Sequence, residues 1–110
     1  MFIILDSWTE GSSQWRKGHE TVNNECDEVT NLFTNEAFAT IDEAKDYITK
    51  FFLGRSEHTI YWNDHVIGGI NYPGAFVTES FGKWEDEDGE VGGSDWKEHR
   101  IRIEAIELVH

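Results

Sequence analysis

The residues with chemical potential in this 110-residue chain are its 22 carboxylates, five histidines, one cysteine and five tryptophans. The nearest thing to a metal-ligand pattern is Glu57-His58 together with Asp64-His65. Strands over 58–62 and 66–70, joined by a two-residue Asn63-Asp64 turn, would put His58 and His65 on one face. The ladder then separates them by about four residues, or about 13 Å at about 3.3 Å per residue. Zinc holds its ligand atoms about 2 Å away, so no shared site is expected, and no cofactor of any kind. Asp86-Glu87-Asp88-Gly89 has the composition of a calcium loop without its spacing. With Gly89 in the sixth position, Trp84 would stand first, where a carboxylate is required. Cys26 lies between Glu25 and Asp27, whose charges disfavour the thiolate, and reads as a structural cysteine. Gly-x-Ser-x-Gly is absent, and Gly68-Gly69 and Gly92-Gly93 lack the lysine and spacing of a phosphate loop. Nothing here specifies catalysis, and the chain reads as non-enzymatic.

The tryptophans say more. Trp15, Trp84 and Trp96 each sit among polar or charged neighbours: Gln14-Trp15-Arg16-Lys17, Lys83-Trp84-Glu85-Asp86 and Asp95-Trp96-Lys97-Glu98. That context suits a protein-binding rim, where tryptophan is a frequent hot-spot residue. Trp8 and Trp62 are expected in the core. Beside Trp84 runs a dense acidic stretch, so the candidate partner-binding set is Trp84, Glu85, Asp86, Glu87, Asp88, Glu90 and Trp96. Nine Lys and Arg against 22 Asp and Glu leave a net charge of −13. Binding to DNA, RNA or an anionic membrane needs Lys and Arg against phosphates and is disfavoured. A basic partner protein is favoured, because opposite charge steers the encounter.

In size and charge the chain resembles the small acidic inhibitors that phages and mobile elements make against nucleic-acid-handling host enzymes. Some of those are DNA mimics that present carboxylates where phosphates would sit. The resemblance implies an inhibitor whose acidic surface enters a basic groove. An alternative of a different class is a small-molecule-binding or enzymatic domain with its pocket between helix and sheet, and a third is a homo-oligomer with its tryptophans at the interface.

The elements that must position these residues are organised around one helix, expected over about 41–53. Thr40 and Glu43 form a capping box. Ile41, Ala44, Tyr47, Ile48, Phe51 and Phe52 recur at helical spacing, and Gly54 suits the left-handed position beyond the end. Strands are expected over 2–9, 58–62, 66–70, 75–81 and 99–108, with one short strand inside 20–24 or 29–33. Glu10-Gly11-Ser12-Ser13 reads as a turn, Pro73-Gly74 as the centre of a type II turn, Gly68-Gly69 as a bulge, and 104–105 as another bulge. Asp88-Gly89 is the expected tip of the loop over 85–93. The fold class is α+β: one domain over 1–110, a mainly antiparallel sheet of about four to six strands, and the helix packed on one face. The opening Met1–Asp6 is too short for a signal peptide or membrane span, and with a single cysteine the expectation is a soluble, cytoplasmic protein.

Overall fold

The computed structural model describes residues 1–16, 19–88 and 90–106, and for 19–29 the backbone alone. Its elements are β1 (Phe2–Arg16), β2 (His19–Leu32), α1 (Ile41–Phe52), β3 (Glu57–Trp62), β4 (His65–Ile67), β5 (Ile70–Tyr72), β6 (Gly74–Glu85) and β7 (Val91–Ala105). Five strands form one antiparallel sheet in the order β2-β1-β7-β6-β3, and β4 pairs with β5 in a separate hairpin. The chain is thus α+β. Helix α1 carries it from the β2 edge of the sheet to the β3 edge, and the last strand fits between β1 and β6. Among the described residues no helix is long and apolar enough to cross a membrane.

The helix forms where its local signals place it. Thr40 Oγ1 accepts from the Glu43 amide at 3.1 Å, and Glu43 reaches back to the Ala39 amide at 3.2 Å, one residue beyond the expected Thr40. Asp46 and Lys50 pair at 2.9 Å on the exposed side. Leu53 is the C-cap and Gly54 follows at φ +75°. Ala44, Ile48 and Phe52, one helical stripe, pack on Ile4 of β1, Ala75 and Val77 of β6, and Ile101 and Ile103 of β7; all are at most 1% exposed. Phe33, Phe38, Tyr47 and Phe51 close the margin of this core with edge-on and tilted ring contacts.

That core occupies one end of the molecule. A 12-residue helix is about 18 Å long at about 1.5 Å per residue. The 15-residue strands β1 and β7 run about 50 Å at about 3.3 Å per residue. The overall extents are 61 × 30 × 20 Å. The radius of gyration is 17.0 Å, against about 13 Å for a compact chain of this size. The sheet therefore continues well past the helix as a twisted ribbon of β2, β1, β7 and β6. No described element covers either of the ribbon's faces.

Several expectations are corrected by non-local pairing. Gly11, Ser12 and Ser13 do not turn: each pairs with β2 on one side and β7 on the other, and two ladders override their turn propensity. The short strand expected between 20 and 33 is the 14-residue β2. Asn63-Asp64 makes no hairpin, because β3 pairs with β6 and no described non-glycine residue has positive φ. The tight turn is at Gly68-Gly69, with φ +58° and +80°, joining β4 to β5 in place of the expected bulge. Gly74 has no positive φ, so Pro73-Gly74 is not a type II turn; a Cβ there would strike the His65 ring and the Ile101 carbonyl. Pairing of β7 with β1 runs unbroken to Ala105, so the bulge expected at 104–105 is absent, and irregularities fall at Ser7/Trp8 and Phe81/Trp84 instead. The last strand begins at Val91, and its expected end at Leu108 lies outside the described residues, as do the side chain of Cys26 and the Gly89 half of the expected loop tip. Trp62 is 40% exposed, with the Lys45 ammonium 5.5 Å from its ring centroid, not in the core.

Candidate binding trough on the uncovered half of the sheet

Gly92 and Gly93 set the geometry of the ribbon. Consecutive strand residues point to opposite faces. Gly92 is paired with Trp15 and Gly93 with Trp84. The Trp15 indole lies where a Cβ on Gly92 would stand, and the Trp84 Nε1 is 2.9 Å from the Cβ position on Gly93. Two indoles thus rest on the glycine backbone from opposite sides. The irregularity at Phe81/Trp84, with Gly82 at φ +55°, re-phases β6 so that Trp84 falls on the far side from Trp15.

On the Trp15 side the twist of the strands encloses an open trough of about 680 Å³. Register builds it in rows: Ser13 opposite Ser94, Trp96 opposite Ser80, Ser80 opposite Glu57, and Thr78 opposite Thr59. Trp15, Lys83 and Glu85 complete its rim, and His58 and Glu79 also border it. Both indoles are half-buried. A floor of hydroxyls, walls of indole and flanking carboxylates can stack on a flat group and accept its hydrogen bonds. Glu57 and Glu85 make no side-chain hydrogen bond or ion pair among the described residues.

Of the seven residues singled out by sequence, the trough gathers Glu85 and Trp96. Trp84, 51% exposed, lies on the opposite face. Asp86 staples its own loop: Oδ1 accepts from the Glu90 amide at 2.8 Å and the Val91 amide at 3.3 Å. Glu87, Asp88 and Glu90 stand exposed in that loop at the end of the ribbon. The residues that sequence did not assign to a site are Glu57, Lys83 and the hydroxyl row. Trp15 carried the signal of an aromatic in a polar setting, but only the register places it on the same trough as Trp96, four residues along the ladder.

A second cluster lies under the helix. His99 Nδ1 is 2.8 Å from Asp6 Oδ2, and Nε2 is 2.5 Å from Glu79 Oε1. Glu79 Oε2 accepts from Ser56 Oγ at 2.6 Å and from Arg55 Nε at 3.1 Å. Burial pushes the Glu79 carboxyl up, but its bonds to Ser56, His99 and Arg55 outweigh this and hold it below the usual value. The Phe52 ring seals the imidazole edge-on at 5.3 Å. Asp6, Glu79 and His99 are 6, 2 and 3% exposed. A general base must reach a substrate proton, and the His99 imidazole lies against Phe52 with both ring nitrogens engaged by carboxylates. The cluster ties β1, β7, β6 and the segment after the helix together; its role is structural. Nor do His58 and His65 converge on a metal: His58 packs against Phe52 and His65 against Phe76, on opposite faces of the sheet, where one face was expected. No group of three or more His, Cys, Asp or Glu among the described residues could hold a metal ion. The space between helix and sheet is filled by the core side chains.

No protein-family model, curated protein or solved structure matches this chain.

Proposed function

We propose that the protein is a non-enzymatic inhibitor that binds a basic, nucleic-acid-handling protein and competes with that protein's DNA or RNA. The observation that carries this reading is the uncovered ribbon: it offers indoles and unpaired carboxylates together, in a chain of net charge −13. Such a surface has no apolar layer to bury it within its own chain. Its charge repels nucleic acid and draws basic protein, which suits a competitor for a basic, nucleic-acid-binding groove. The acidic loop at the ribbon's end extends the same field.

The test is a pull-down from the source cells at low and high salt, followed by surface-plasmon kinetics with the captured protein and its nucleic acid. Association should slow with salt, since exposed charges are screened beyond about 8 Å at physiological ionic strength. Converting Glu85, Asp86, Glu87, Asp88 and Glu90 to amides should lower chiefly the on-rate. Salt-independent association, or simultaneous binding of the nucleic acid and this protein, would refute the proposal.

A further inference from the structure

We infer that the unit recognised in the trough is an arginine side chain of the basic partner, its guanidinium stacked on Trp15 and held by Glu57 and Glu85. This rests on the interaction reading above and names its ligand.

Three observations carry it. The Trp15 indole has the Gly92 backbone against one side, which leaves its other side to the trough it lines. Guanidinium is planar, stacks on aromatic faces and is more weakly hydrated than ammonium, so an indole platform selects it over lysine. Next, guanidinium carries five N–H donors and no acceptor. Glu57 and Glu85 supply ionised acceptors, and Ser80 and Ser94 supply neutral ones between them. Finally, both carboxylates lack a partner within the described chain, whereas Glu79 and Asp46 are engaged by Arg55 and Lys50. Among the described residues Lys83 is the single Lys or Arg lining the trough, and it pairs with neither. An incoming guanidinium therefore breaks no existing ion pair on entry.

The test uses the whole chain and four probes: hexa-arginine, hexa-lysine, the uncharged isostere hexa-citrulline, and a neutral glucose hexasaccharide. Binding is read by calorimetry and tryptophan emission. Hexa-arginine should bind about tenfold or more tighter than hexa-lysine, and hexa-citrulline should not compete. Trp15→Ala should weaken hexa-arginine by about 2- to 30-fold, the range of a cation on an indole. Trp62→Phe, remote from the trough, should leave it unchanged. Lys83→Met should tighten it. Should Trp15→Ala lose the fold by circular dichroism, the Glu57→Gln/Glu85→Gln pair decides, with a loss of hexa-arginine affinity expected. Equal binding of hexa-arginine and hexa-lysine, untouched by these substitutions, would overturn the arginine site and leave the basic-partner reading standing. No binding of either cationic peptide would overturn both. Trp15-dependent binding of the hexasaccharide without hexa-arginine would assign the trough to sugar and overturn the inference.

Discussion

Glu79→Gln isolates the ionic part of the buried cluster while keeping its shape. In the folded protein one Glu79 oxygen faces His99 Nε2, and the other takes Ser56 and Arg55. Glutamine can hold Ser56 and Arg55 on its carbonyl, but it turns an NH2 toward His99. Hydrogen bonds to charged groups contribute about 1.5–3 kcal/mol and neutral ones about 0.5–1.5 kcal/mol. Demoting the His99 bond therefore costs roughly 1–1.5 kcal/mol. The Arg55 side chain is 40% exposed, so solvent discounts its share to less than about 1 kcal/mol. The sum is about 2 kcal/mol near neutral pH, against a total stability of roughly 5–15 kcal/mol for a domain. The effect has a pH signature with a defined sign. The Glu79 carboxyl is held below its usual value in the folded state. Its contribution is thus fully present above the unfolded value of about 4.5 and is lost as pH falls through the folded value. Urea melts of wild type and Glu79→Gln at about pH 7 and about pH 3 should show the gap narrowing on acidification. A variant within roughly 0.5 kcal/mol of wild type near neutrality would refute the assignment. So would a gap as wide in acid.

Further outcomes follow from packing and from turn conformation. Phe52→Ala should lower stability by about 3–5 kcal/mol in a denaturant melt. Phe51→Ala should cost clearly less, because its ring is half-exposed beneath the Arg55 guanidinium at 4.9 Å. Gly92→Ala should cost about 1–3 kcal/mol by overpacking and shift tryptophan emission. Gly68→Asn, at φ +58° in the β4–β5 turn, should melt within roughly 0.5 kcal/mol of wild type.

The helix was legible because everything that specifies it is local: the Thr40 and Glu43 cap, the 44-48-52 stripe and Gly54. The strands were legible in kind but not in length. Gly11-Ser12-Ser13 and Gly92-Gly93 have the composition of turns, and only neighbours distant in sequence make them strand interior. The reason for Gly92 is Trp15, and nothing in the spacing of the two announces it. The same holds for Asp6, Glu79 and His99, which meet because three strands are in register. Of the trough, Trp96 and Glu85 were legible from their setting. Trp15 shares that polar setting but has no place without the register, and the setting of Glu57 beside His58 suggests only a metal ligand. Trp62 misled in the other direction: its strand is an edge, and half of an edge strand's surroundings is solvent.

The split between a covered and an uncovered half also sets how this chain can change over generations. Substitutions under the helix meet fixed volumes at Ile4, Phe52, Val77 and Ile101, so few are tolerated. Along the ribbon the described constraints are backbone pairing, the glycine–indole contacts, the Lys97 ammonium over the Trp8 ring and the Asp86 staple of its loop. The uncovered surface is free to drift in charge and shape while the fold is held elsewhere. Under the function proposed above, the ribbon can follow changes in a partner's surface without loss of foldedness.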